Sequence, residues 1–490
     1  MKNYDELYVI SDLHLGGETG FQIFDQRDEL IGLIELLRIA PKDSKIGLVL
    51  NGDIVDFLAE PNSSYFDPIG VDVKLKRIFE QDQAFKDIFK KLAEYVKTDN
   101  RDLILVLGNH DIELALPAAK EYFLNNLCGN SLAAQSRIIF ATDGAGFKCE
   151  IQGREVLCLH GNEVDNWNTV DYNQLLEVIR ALNRNNPIPE WNPNAGTKLV
   201  IDIMNDIKRR QPFVDLLKPE TRAVPSVLFA TEKTIKDKLF KLSPVLLQLS
   251  KDKVRKHFGL LSSEETSDQS QFMDSNEALH ALLQPGFLSS ELKISNENDI
   301  DQLFRQIERR YQTGETGNFE DMHGTLGEGG LFLDRILKRD PVENLRETLV
   351  NWIGSDPIFN FDFEDKDTFQ PLDQYIGPNI DFIVAGHTHL HRSLKRKNGV
   401  GAYFNSGSWI RLIKIETEIL ENTETFRPFY EILRSPTMKQ LDESGIVIRR
   451  PTVVSIKAVG NKVVGQLNIM SLDSDSSPKL IPIEKSQREV

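Results

Sequence analysis

LILVLGNHD, Leu103 to Asp111, is a short branched apolar run that stops at a glycine and then presents Asn109, His110 and Asp111. Such a run is too short for an ordinary helix and suits a buried strand, and its glycine permits a sharp turn straight afterwards. An apolar run ending in side chains able to bind metal recurs in LYVISDLH (7–14), IGLVLNGD (46–53), EVLCLHG (155–161) and DFIVAGHTH (381–389), with a glycine beside the donor in all but the first. Between the first two of these, Ile23, Leu30, Ile34 and Leu37 fall on one helical face, and a second helix is expected over much of 73–96. Strands alternating with helices predict an α/β fold whose strand ends converge on a ligand crevice.

Beyond His160 the pattern changes. Residues 163–370 show helical periodicity and loops, with apolar stripes at Leu228, Ile235, Leu239, Leu242 and at Ile300, Leu303, Phe304, Ile307, Tyr311. SSEETSDQSQ (262–271) and NFEDMHGTLGEGG (318–330) are expected as connections, and the latter lacks the GKS or GKT ending of a phosphate loop. Strand character returns at 381–387 and at YFNSGS (403–408). TVVSIKAV and KVVGQLNIM flank Gly460 and Asn461, which predicts a hairpin, and the polar tail from Ser471 is expected to be loosely held. The organisation read from this is a core at 1–162, an inserted, mainly helical cap at 163–370, and a second core part at 371–490.

Composition sets limits. With 74 acidic against 58 basic side chains the formal charge is −16, which opposes general binding to nucleic acid or anionic lipid. Cys128, Cys149 and Cys158 offer no disulfide framework and no paired zinc spacing. No apolar window is long enough to span a bilayer and the first residues do not read as a signal peptide, so the expected compartment is the cytoplasm.

A lone Asp after a strand is usually a turn residue, and a lone His is usually a satisfied polar group. Five such strand ends in one chain are another matter. DLH, GDIVD, GNHD, HG and GHTH together resemble the calcineurin-like metallophosphoesterase family, whose pattern is DxH, GDxxD, GNHD or GNHE, HG and GHxH. The resemblance, which covers about 1–162 and 371 onward, implies a four-layer α/β sandwich with two mixed sheets; the large, mainly helical inserted domain is read from the sequence pattern alone. It also implies two divalent cations. Asp12, His14 and His389 would serve one, Asn109, His160 and His387 the other, with Asp53 bridging. Oxygen and imidazole donors without thiolate favour Mn2+, with Fe or catalytic Zn2+ as further candidates.

The implied activity is hydrolysis of phosphate esters, by a phosphodiesterase or phosphatase in which a metal-bridging hydroxide attacks in line. His110 would assist the leaving group, and Asp111 would orient His110. Asp56 and Asn405 read as supports of the site. Asp165 and Asn166 read first as ordinary loop residues and second as residues facing substrate, and His391, outside the family pattern, reads first as a surface residue and second as a substrate contact.

The substrate would be a phosphorylated small molecule or a phosphodiester. Lys233, Lys236, Lys238, Lys241, Lys251, Lys253, Arg255 and Lys256 read first as a solvated helix surface and second as an anion-recruiting rim. Without aromatic interleaving they do not favour nucleic acid, so a nuclease is the alternative enzyme. SDLHL, NGDIVDF and FNSGSW are similar to the branch that contains UDP-diacylglucosamine pyrophosphate hydrolases. That branch carries Arg in GNR where this chain has His110, and it lacks so long an insertion. A non-catalytic scaffold with the same fold is the reading from outside enzymology; such scaffolds lose ligands or the His110 equivalent, which are all present here.

Overall fold

The computed structural model describes residues 1–218 and 340–490, apart from 166, 354–358, 367 and 435–436. The two stripes at 228–242 and 300–311, the basic run 231–258, the connections at 262–271 and 318–330, and Asn166 therefore lie outside the described residues. The chain divides into two compact units. One comprises Met1–Thr197, Pro357–Arg411 and Ile448–Val490, and the other Lys198–Asp356 and Leu412–Val447.

Two large sheets form among the described residues of the first unit. In the larger, strands Glu6–Ile10, Ile46–Asn51, Arg101–Val106 and Ile138–Ala141 run parallel in that order. Thr452–Val459 joins Glu6–Ile10 antiparallel and continues as a hairpin into Lys462–Leu472. The smaller sheet is also mixed: Arg154–Cys158, Phe382–Ala385 and Ala402–Asn405 are parallel neighbours, while Phe147–Ile151 and Arg392–Lys395 pair antiparallel at either side.

Alternation along each strand builds the layers. Leu7, Val9, Val49, Ile104 and Val106 pack against Cys149, Val156, Phe382, Val384 and Phe404 of the smaller sheet. Tyr8, Ile10, Leu48, Leu50, Leu103 and Leu105 face the other way, onto helices Arg27–Ile39 and Gln83–Lys97. Phe369 and Leu372, from helix Phe369–Tyr375, cover the far side of the smaller sheet with Ile383, Leu394 and Tyr403. The order is helix, sheet, sheet, helix: the four-layer mixed α/β architecture.

Three expectations need correction. Ile23 precedes helix Arg27–Ile39 rather than belonging to it. The helix expected over 73–96 is broken into Val71–Lys76, a π-helical turn Arg77–Gln81 and Gln83–Lys97, because Asp82 is extended between them. The tail from Ser471 is pinned: Pro478–Pro482 and Arg488–Glu489 both pair with Lys462–Leu472. Strand pairing uses backbone groups, so a polar tail can be held without an apolar pattern.

The second unit is mainly helical in its described part, with strand Leu412–Ile413 beside the helices in sequence. Pro341–Ile353 and Thr423–Leu433 bury Leu345, Leu349, Phe426, Phe429 and Leu433. Asn422 caps the latter helix in a reciprocal capping box with Thr425, and Arg346 donates to the Leu420 carbonyl at 2.8 Å.

Candidate metal centre

Five strand-end side chains sit on backbone with positive φ: Asp12 at 55°, His14 at 47°, Asp53 at 51°, His387 at 69° and His389 at 61°. Each such residue costs on the order of 1–3 kcal/mol and persists only where its surroundings over-determine it. Here Asp12 N–H donates to Gly52 O at 3.1 Å and His14 N–H to Asp53 O at 2.9 Å. Two glycines are required by close approach. A Cβ on Gly52 would stand 2.3 Å from His160 Nδ1, and one on Gly108 would stand 2.2 Å from Asp53 Oδ1.

The side chains so aimed gather into groups whose donor atoms lie within 4.8 Å of one another: Asp12, His14 and His389; Asp53, His160 and His387; and His14, Asp56 and His110. His389 Nε2 is 3.2 Å from Asp12 Oδ1. Asp53 Oδ2 is 3.2 Å from His160 Nε2 and 3.7 Å from His14 Nε2, which places this oxygen between the first two groups. Asp53 Oδ1 accepts from the His110 backbone N–H at 2.9 Å.

The electrostatics call for positive charge. Burial disfavours ionised Asp12 and Asp53, yet neighbouring imidazoles hold Asp12 below and Asp53 well below the usual carboxylate range. Burial likewise opposes charge on His160, but Asp53 and Asp12 push its imidazole up to about 10. Asp12 Oδ1, Asn109 Oδ1 and His160 Nε2 are buried without a hydrogen bond among the described residues. Unsatisfied oxygen and nitrogen lone pairs beside carboxylates fit divalent cations.

A surrounding set orients these groups. Asp56 Oδ2 lies 3.1 Å from His14 Nδ1 and its Oδ1 3.2 Å from His110 Nδ1. Asp111 instead accepts from the Gly108 and Ile54 amides, each at 2.7 Å, and burial with Asp53 nearby pushes its carboxyl up to about 7. The carboxylate set against the His110 ring is thus that of Asp56. Asn405 braces the GHTH turn, donating to Gly386 O at 2.6 Å and Thr388 Oγ1 at 3.1 Å.

Some partners escaped the sequence. Asn51 O receives His160 Nδ1 at 2.8 Å, and Asp165 Oδ2 lies 2.8 Å from His387 Nε2, so Asp165 is more than an ordinary loop residue. The hint was present in HGNEVD, a carboxylate five residues after His160. His391 is not on the surface: it is buried, and burial with Arg450 and Arg392 nearby holds its imidazole down to about 4. His391 directly precedes strand Arg392–Lys395, which carries it into the interior.

A layered α/β fold with carboxylates and imidazoles gathered at its strand ends defines the class of metal-binding phosphoesterases. Residues 6–216 match the calcineurin-like phosphoesterase family. The match ends before GHTH, which the fold returns to the same unit. No curated protein matches the chain. That match implies metal-dependent hydrolysis of phosphoesters, hence phosphorylated substrates, in a family that typically binds two divalent metals. No helix among the described residues is long and apolar enough to cross a membrane.

Proposed function

We propose that this chain is a cytoplasmic phosphodiesterase or phosphatase that holds two divalent cations, Mn2+ in its native state, with Fe or Zn2+ as chemically acceptable substitutes. Asp12, His14 and His389 would hold one, Asn109, His160 and His387 would hold the other, and Asp53 would serve both. The observation that carries this reading is the position of Asp53 Oδ2 between His160 and His14. When bound, such a pair neutralises phosphate charge and acidifies water toward neutral pH.

The protein's own groups then do the following. His110 N–H fixes the second oxygen of Asp53. The His110 ring, directed by Asp56 through Nδ1, donates a proton from Nε2 to the departing oxygen. Asp56, held well below the usual carboxylate range by His110 and His14 against the pull of burial, stays ionised and favours the charged imidazole. Asp111 keeps Gly108 and Ile54 in register beneath Asp53. Three free thiols suit a reducing compartment.

The test is hydrolysis of aryl phosphomonoesters, aryl phosphodiesters and polynucleotides by metal-replenished protein, beside His110→Ala. The wild type should cleave a small ester, and the variant should keep its metals while losing about 10²–10⁴-fold in turnover. Unchanged turnover in the variant would remove His110 from the chemistry. Cleavage of polynucleotides alone would make the protein a nuclease, and absence of bound cation together with inactivity on every substrate would leave a scaffold.

A further inference from the structure

The histidines of the centre do not all present the same nitrogen. His14 directs Nδ1 at Asp56 and His160 directs Nδ1 at Asn51 O, so each turns Nε2 toward Asp53. His387 is reversed. Its Nε2 lies 2.8 Å from Asp165 Oδ2, while its backbone N–H donates to Asp12 Oδ2 at 3.1 Å.

Asp165 is itself firmly held. Its Oδ1 accepts from Trp167 N–H at 2.9 Å, and its Oδ2 also accepts from Asn168 Nδ2 at 2.8 Å. The loop that carries it starts at Gly161, φ 116°, and lies in ordinary contact with His387, a Cβ at Gly161 standing 3.4 Å from His387 Cβ. A carboxylate only accepts, so the His387 nitrogen facing it must carry the proton. The lone pair is thereby confined to Nδ1.

We infer that Asp165 is a positioning residue that locks His387 in the Nε2–H tautomer, so that Nδ1 is its metal-ligating atom, opposite to the Nε2 presented by His14 and His160. This rests on the two-metal reading above. A carboxylate behind a ligating imidazole fixes tautomer and ring direction, and its loss typically costs 10–100-fold in metal affinity.

Asp165→Asn is the discriminating variant. Trp167 N–H demands an oxygen at the Oδ1 position, which turns the new amide NH2 toward His387. That amide can pair with Nε2 only if the ring proton moves to Nδ1, the tautomer that cannot ligate there. The new NH2 also meets Asn168, whose amide must turn to present its oxygen; with that turn the shape of the loop is kept and its chemistry towards His387 reversed.

The experiment is Mn2+ titration of the metal-stripped full chain by calorimetry, with two-bond 1H–15N spectra of the metal-free protein to read the His387 tautomer. In the wild type, His387 should carry its proton on Nε2. In Asp165→Asn the proton should shift to Nδ1, and one of two Mn2+ sites should weaken by about 10–100-fold. Asp165→Ala, which removes the acceptor, should weaken the same site and leave a mixed tautomer. A wild-type Nδ1–H tautomer, or wild-type affinity at both sites in Asp165→Asn, would overturn the inference. A wild type that binds no Mn2+ yet shows the Nε2–H tautomer lost in both variants would instead overturn the two-metal reading and leave the positioning role standing.

Discussion

Asp56 divides its carboxylate between two imidazoles, with Oδ2 3.1 Å from His14 Nδ1 and Oδ1 3.2 Å from His110 Nδ1. One side chain thus orients both a proposed ligand and the proposed proton donor. Asp56→Asn keeps the shape but presents an NH2 to one of those rings, which forces its proton to the other nitrogen. Turnover should fall by about 10²-fold or more, and Mn2+ affinity by about 10–100-fold if His14 is the ring affected. Parallel kinetics and metal titration separate the two effects; wild-type values in both would show that Asp56 merely fills space.

Gly108→Ala tests the tight approach beneath Asp53. The added Cβ would meet Asp53 Oδ1 at 2.2 Å and its backbone N at 2.4 Å, neither of which is the end of a flexible chain. Asp53 must shift, so bound Mn2+ should drop below two equivalents while the circular dichroism spectrum stays that of the wild type. Full metal content, read by elemental analysis, would contradict the geometry.

Glu113 is fully buried, and one of its oxygens lacks a hydrogen bond among the described residues. Burial pushes its carboxyl up to about 7 from an ordinary 4.5, against the favourable pull of Lys74. The folded chain therefore binds this proton more tightly than the unfolded chain. Stability falls as pH rises from 4.5 through 7 and levels out above. Glu113→Gln keeps an acceptor for Asp67 N–H and removes the loss, so it should be more stable than wild type by about 3 kcal/mol at pH 8. Urea denaturation should show that gain shrinking steadily toward pH 5; a gain independent of pH would mean that another cause is at work.

Arg101 is wholly buried and acts as a clamp at the end of helix Arg27–Ile39, donating to Leu37 O at 2.7 Å, Ala40 O at 2.5 Å and Ser44 O at 2.7 Å. Arg101→Met fills much of the space but strands those carbonyls. It should destabilise the fold by roughly 3 kcal/mol or more. Turnover of the folded protein at low temperature should be that of the wild type, since the clamp lies at the opposite ends of the strands from Asp53 and Asn109. A drop in turnover without a drop in stability would contradict a purely structural role.

Much of this architecture was legible from local pattern. Leu103 to Gly108 reads as a strand because branched apolar side chains buried on both faces need no alternation with polar ones, and it does lie between two packed layers. The hairpin around Gly460 was equally clear, because turn chemistry sits between two branched runs. Less visible was the break at Asp82: helical periodicity continues across it, and only the extended backbone of that one residue interrupts it.

What the sequence by itself determined is the donor chemistry: strands that end close to Asp12, Asp53, Asn109, His160 and His387, the last four each beside a glycine, since the type of side chain and its distance from a strand end are local properties. Which carboxylate faces which imidazole was decided only by tertiary structure. Asp56, not Asp111, meets His110, and Asp165 meets His387 across 222 positions. Those pairings depend on the direction in which separate loops leave two different sheets, and hydrogen-bond orientation at a distance of 3 Å is not encoded in the spacing of either loop alone.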